Sequence, residues 1–287
     1  MLWCRVMPPP DRMLNTLKKA LDHVKATPGR SGHLVRMVDC TEVIVAGDLH
    51  GHIPNFQVVF KAADLANHPT RHLVLQEVIH SKFRYPNGSD KSHQLVDLFA
   101  ALKCQYPARV HLLPGNHELA QWSARSVGKA DESLNEVFIQ GVHTAYGAAG
   151  AEVYNAYCDL FRALPIAIRT PNAVFLSHSL PSAKYLGTFD ARRLEVEEYE
   201  EQDYLPGGLV YSLLWGRDTA DRTVDDFLRK VDSDLLVTGH IPTENGFSVP
   251  NHKQLIVDCS ASPAAYVKFA ADRPLTHAEL VSGVVVF

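Results

Sequence analysis

Val43-Ile44-Val45-Ala46-Gly47-Asp48-Leu49-His50-Gly51-His52 runs from three β-branched residues into a turn that carries a carboxylate and an imidazole two positions apart. The apolar start predicts a buried strand. Gly47 and Gly51 flank the polar pair, so the backbone can turn sharply and come close to whatever Asp48 and His50 hold. A metal site at a strand end has this form. A plain strand-end turn whose Asp caps the next helix has it too, so the reading depends on whether other segments bring matching ligands.

Outward from this stretch, Asp11 to Ala26 reads as an amphipathic helix stopped by Pro28-Gly29, with Met13, Leu14, Leu17, Leu21 and Val24 at helical spacing. Pro54 to Ala66 reads as a helix and His72 to Leu75 as a strand; Leu95 to Leu102 and Arg109 to Leu113 repeat the order. Strand then helix, twice over, is the pattern of parallel connections. From Glu118 to Leu164 the periodicity is mostly helical, a cap or insertion. Short strands follow at Ile166 to Arg169, Ala173 to Leu176, Leu235 to Thr238, Gln254 to Val257, Ala265 to Phe269 and Val284 to Phe287. The acidic run Glu195, Glu197, Glu198, Glu200 and Glu201 reads as a solvated face without chemistry.

Composition bounds the rest. With 287 residues, 46% of them hydrophobic, the chain can bury a full core as one domain. A formal net charge of -4 argues against nucleic acid or an anionic membrane reached through bulk charge. No apolar run approaches the roughly 18 residues of a membrane span, and Met1 to Pro10 lacks the pattern of an export signal. The five scattered cysteines include no CxxC pair, so neither a disulfide framework nor a thiolate zinc site is expected, and a reducing cytoplasm is the expected compartment.

Four more strand ends break into the same kind of turn: Gln76-Glu77-Val78-Ile79-His80, Pro114-Gly115-Asn116-His117-Glu118, Ser177-His178-Ser179 and Thr238-Gly239-His240-Ile241-Pro242. Singly, each is an ordinary turn or a lone core histidine. Five together, at the carboxyl ends of strands where α/β sheets bind ligands, predict convergence. Asp48, His50, Glu77, Asn116, His178 and His240 offer nitrogen and oxygen but no thiolate, which suits manganese, iron or zinc. Six donors exceed what one catalytic ion with an open position needs. They suit two ions about 3.5–4 Å apart sharing a carboxylate.

GDLHG at 47–51, GNHE at 115–118, a strand-end His178 and the later Gly239-His240 resemble, in order and spacing, the calcineurin-like metallophosphoesterases, with the closest likeness to the phosphoprotein phosphatases. Tyr157 to Ala167 and Leu213-Leu214-Trp215 extend the resemblance, which covers about Val43 to Phe269. It implies an α/β fold, an α/β/β/α sandwich of two central mixed sheets flanked by helices. The domain would span 1–287, with an N-terminal helix at 11–26 and a helical cap at 120–164. It further implies a phosphoesterase using two divalent ions, with manganese first and iron or zinc as alternatives, and a metal-bound hydroxide attacking a phosphomonoester in line. Asp48 and His50 would bind the first ion, Glu77 would bridge, and Asn116, His178 and His240 would complete the second. His117 would be the general acid, and Arg217, helped by Asn116, would hold the phosphate of a phosphoprotein or small phosphoester. A nucleotide or dinucleoside polyphosphate hydrolase is the alternative enzyme, and a catalytically weak phospho-ligand-binding relative the alternative class.

The chain departs from the family's GDxxDRG motif, where it reads Gln76 to Lys82. Glu77 keeps a carboxylate with one more methylene. His80 replaces the Asp that orients the general-acid histidine, and Ser81 removes a phosphate-binding Arg, for which Lys82, Arg84 or Arg125 are the nearby candidates.

Overall fold

The computed structural model describes residues 8–123, 128–129 and 132–287. Helix α1 (Pro10–Lys25) opens with proline in its first turn, where the missing N–H costs nothing, and leads to the short strands β1 (Arg30–Ser31) and β2 (Leu34–Arg36). The stretch around Asp48 becomes β3 (Glu42–Asp48), followed by α2 (Ile53–Ala63), β4 (Arg71–Gln76), α3 (His93–Gln105), β5 (Val110–Leu113) and α4 (Asn116–Trp122). A two-residue ribbon, β6 (Gly128–Lys129) and β7 (Glu132–Ser133), precedes the long helices α5 (Leu134–Tyr146) and α6 (Gly150–Ala163). The second half contains β8 (Ala167–Arg169), β9 (Val174–Ser177), α7 (Ala183–Leu186), α8 (Leu209–Trp215), α9 (Asp221–Lys230) and β10 (Leu235–Thr238). It closes with β11 (Phe247–Ser248), β12 (Gln254–Val257), β13 (Ala265–Ala270), α10 (His277–Ser282) and β14 (Val284–Val286).

Two mixed sheets form, ordered β14-β13-β3-β4-β5 and β1-β2-β8-β9-β10-β12-β11. β3, β4 and β5 run parallel, as do β9, β10 and β12, so both sheets send several carboxyl ends the same way. Alternation along each strand sorts its side chains between layers. Val43, Val45 and Val74 meet Val174, Leu176 and Val237 between the sheets. Ile44, Ala46, Leu73 and Leu75 face the other way, into a core made with α1, α2, α3, α5 and α6. Phe175 and Leu236 face a third core with α8 and α9. The architecture is therefore the expected α/β/β/α sandwich, with sheet-on-sheet packing at its centre.

Strands expected from the sequence form within a residue or two of their expected bounds. β1, β2, β6, β7 and β11 are not among the expected strands, β6 and β7 falling in the stretch read as mostly helical; two or three residues are too few for a period to show. The acidic run lies between two 3₁₀ turns, Glu195 ending the first and Glu201 opening the second, and all five acids are exposed as expected; Glu195 pairs with Arg36 at 2.7 Å. Cys40, Cys104, Cys158 and Cys259 are free thiols. Among the described residues no helix is long and apolar enough to cross a membrane.

Candidate metal centre

The five polar turns converge where the two sheets touch. Gly47 makes that contact possible, because a Cβ there would lie 1.7 Å from the Val257 carbonyl oxygen. Asp48 then bridges to Asp258 past the end of β12, and its carbonyl accepts the Cys259 N–H at 3.0 Å. Side chains are aimed by unusual backbone: His50, Glu77, His80 and His240 all have positive φ, between 35° and 65°. Such residues cost of order 1–3 kcal/mol each and cluster where function over-determines the chain.

Asp48, Glu77, Asn116, His178 and His240 are all buried, and His50 is partly exposed. His50 Nδ1 lies 2.8 Å from the Ile79 carbonyl, which can only accept, so Nδ1 carries the proton and the Nε2 lone pair faces Glu77 Oε2 at 3.3 Å. His178 Nδ1 lies 3.5 Å from Asp48 Oδ1, and its Nε2 lies 3.1 Å from His240 Nδ1 and 3.4 Å from Asn116 Oδ1. The Asp48 carboxylate accepts the His240 N–H. All six expected donors are thus brought together. Donor atoms within 4.8 Å of one another form one group from His50, Glu77 and His117 and another from Asp48, Glu77 and His178. Glu77 belongs to both.

The donors fit a cation on physical grounds. Burial pushes Asp48 up, and burial followed by the neighbouring charges of Asp48 and Glu118 pushes Glu77 well up. Burial lowers the histidines, His240 to about 3 and His178 well below its ordinary value, so they present lone pairs. His178 Nδ1 and His240 Nε2 are buried without a hydrogen-bond partner. Crowded buried carboxylates beside unpartnered imidazole nitrogens are compensated by positive charge.

His117, the second residue of α4, donates its backbone N–H to Glu77 Oε1 at 2.9 Å. Its ring Nδ1 lies 2.5 Å from His80 Nδ1, and His80 Nε2 lies 2.9 Å from Gln121 Oε1. Arg217 is exposed just past α8, close enough for its charge to act on His117, His178 and His240. The acids that could have neutralised it are otherwise engaged: Asp218 accepts the N–H groups of Ala183 and Ala220, and Asp221 pairs with His252. Ser81 is buried with its N–H on Asp90; Lys82 is exposed beside the Phe83 ring, and Arg125 lies outside the described residues.

Three participants escaped the sequence reading. Glu118 is fully buried and accepts the N–H groups of Val78, Ile79 and Gly115, tying the Glu77 loop to the start of α4. Gln76 lies fully buried with both amide atoms unpartnered. Gln121 was legible in principle, since it stands four residues after His117 and shares its helix face.

Residues 41–249 match the calcineurin-like phosphoesterase family. The chain is 27% identical to a probable serine/threonine-protein phosphatase of Encephalitozoon cuniculi over 86% of its own length and 52% of the relative's, so it spans about half of that curated relative. Among solved structures it is similar to a protein serine/threonine phosphatase from Saccharomyces cerevisiae with similarity to human phosphatase PP5. That match has a TM-score of 0.69 and 15% identity, and covers 98% of this chain and 89% of the other. It is also similar to a cold-active protein-tyrosine phosphatase of a psychrophilic Shewanella, with a TM-score of 0.56 and 15% identity over 85% of this chain and 78% of the other. At these identities the structural likenesses show the fold.

Proposed function

Because the chain belongs to the calcineurin-like phosphoesterase family, we propose that it is a metal-dependent phosphomonoesterase acting on a phosphoprotein or small phosphoester. The observation that carries this reading is Glu77, a buried carboxylate shared by two groups of donors. Asp48, His50, Asn116, His178 and His240 complete the set that would hold two divalent ions, manganese, iron or zinc by donor type. Such ions supply charge neutralisation and an activated water at the phosphorus.

The chain's own residues do the positioning. Arg217, charged and free of the nearby acids, engages phosphate oxygens at the mouth of the site. The Asn116 amide lies beside His178 and reaches the same region. His50 is held by Ile79, and the Glu77 loop by Glu118, so the donors keep their places while substrate exchanges.

The test is metal content followed by turnover of an aryl phosphate, a phosphodiester and a dinucleoside polyphosphate with added Mn2+. An aryl leaving group departs as a stable anion and needs no proton, so this substrate isolates the metal and arginine functions from acid catalysis. Monoester turnover lost in Asp48→Ala and in His240→Ala is expected. Preference for the polyphosphate would favour the nucleotide reading; two bound ions with no turnover on any of the three would leave a phospho-ligand-binding protein.

A further inference from the structure

A cleft of about 780 Å³ opens between the end of α1, the helix α6 and the segment 197–204, and none of the six metal donors lines it. A volume of this order is that of a small-molecule site. Its walls are held from behind. His33 Nδ1 and Nε2 lie 3.0 and 3.2 Å from the main-chain oxygens of Leu164 and Glu197, which ties the acidic segment to the end of α6. The Tyr199 ring stacks on His33 at 4.7 Å. Beside it Tyr204 meets Trp122 at 4.9 Å with the ring planes 87° apart. Two rings at a right angle make a corner, in which a planar group stacks on one ring and meets the other edge to face.

The charges of the cleft do not cancel among themselves. Lys25 lines it and makes no ion pair among the described residues. Arg30 gives Nε to the Gly32 carbonyl and one terminal nitrogen to the Val24 carbonyl, and its other terminal nitrogen has no acceptor among the described residues. Of the acids, Asp159 pairs with Arg162 at 3.7 Å, while Glu197 and Glu198 are exposed at the rim. Glu197 acts on Arg30 through its charge and forms no ion pair with it. Two unpaired cations beside an aromatic corner match a ligand that carries both a phosphomonoester, close to a dianion at neutral pH, and a planar ring. A nucleotide has both, and its ribose hydroxyls suit the rim carboxylates. We propose that this cleft is a second binding site, taking a free nucleoside 5′-monophosphate with its phosphate on Lys25 and Arg30 and its base in the Trp122–Tyr204 corner. The formal net charge of -4 disfavours a polymeric nucleic acid as the source of that nucleotide. Trp122 ends α4, the helix that begins at Asn116, so the base rests on the element that also supplies a metal donor.

Calorimetric titration of the full chain with AMP, GMP and UMP tests the site, with inorganic phosphate and adenosine as the two halves of the ligand. At least one nucleotide should bind, and phosphate and adenosine alone should each bind at least about tenfold more weakly. Lys25→Ala should weaken the nucleotide about tenfold, the worth of one charge-assisted hydrogen bond, and Trp122→Leu by about tenfold or more, the worth of one stacked base. Lys18→Ala removes the same charge from α1 outside the cleft and should leave the affinity unchanged. Asp48→Ala, disabled at the metal centre, should bind the nucleotide as wild type does, whatever the outcome for metal-dependent turnover. The proposal is overturned if no nucleotide binds, or if phosphate or adenosine alone binds as tightly as the nucleotide. Affinity lost in Asp48→Ala and kept in Lys25→Ala would also overturn it, by placing the nucleotide at the metal centre.

Discussion

Buried acids in this site act on main-chain donors as much as on ions, and Glu118 shows it best. Its two oxygens take three N–H groups, from Val78 and Ile79 at 2.8 and 3.1 Å and from Gly115 at 2.8 Å. Glu118→Ala would strand all three in a place water does not reach. At roughly 1 kcal/mol each the loss should be about 3 kcal/mol in urea denaturation, with Glu77 losing its anchor at the same time. A change under about 1 kcal/mol would mean that solvent enters and replaces the carboxylate. Arg217 is the opposite kind of residue, exposed and without structural duty to the neighbouring acids. Arg217→Ala should leave stability within about 0.5 kcal/mol. It should raise KM for a phosphomonoester by roughly tenfold, the equivalent of one charge-assisted hydrogen bond. An unchanged KM would place the arginine outside the substrate's reach.

At the level of elements, what the sequence showed and what it hid follow from how each signal is encoded. Strand ends are local: an apolar run breaking into Gly, Asp, His or Asn is visible in a single chain, and β3, β4, β5, β9 and β10 all end in such turns. Pairings between elements are not local. That His117 groups with His50, and Asp48 with His178, depends on how one sheet lies on the other, which no spacing records. The Gln121–His80 bond likewise joins a helix to a loop 41 residues away in sequence, and only the i, i+4 relation of Gln121 to His117 is readable from the sequence. The same cross-element fit makes Gly115 a sensitive point. It has an ordinary backbone conformation, yet a Cβ there would lie 2.0 Å from Glu77 Oε1 and 2.7 Å from Glu77 Cβ. Gly115→Ala should therefore fold and swing Glu77 out of place, weakening Mn2+ binding by more than about tenfold with little change in far-UV circular dichroism. Full affinity in this variant would show that the bridging carboxylate binds in another rotamer.

Across the whole molecule, Lys103 links the layers behind the site and gives the fold a pH dependence of its own. It is a nearly fully buried residue of α3, and its Nζ donates to Thr27 Oγ1 beyond α1, to the Pro107 carbonyl and to the Val110 carbonyl at the start of β5. Burial, with a smaller push from the Arg30 charge, lowers its ammonium to about 7. In the unfolded chain the same group holds its proton to about pH 10.4. Between those values the unfolded state binds the extra proton, so stability rises with pH, by at most about 1.4 kcal/mol per pH unit. Below the folded value both states are protonated and the cost of the buried charge is present in full. At the alkaline end buried thiols act the other way: Cys40 is pushed up to about 12 by burial, so its proton stays on in the fold after the unfolded thiol has lost it. The Lys103 effect should accordingly be clearest between about pH 7 and pH 9. Lys103→Met, which keeps the length of the side chain and removes the titrating group, should lose stability overall because three acceptors lose their donor, yet show a flatter rise over that window than wild type. Urea denaturation at the two ends of the window separates the contributions, because every other titrating group is shared by both proteins and cancels in the difference. Parallel slopes for the two proteins would mean that Lys103 stays charged inside the fold, with its three oxygen acceptors replacing water as the solvent of the ammonium.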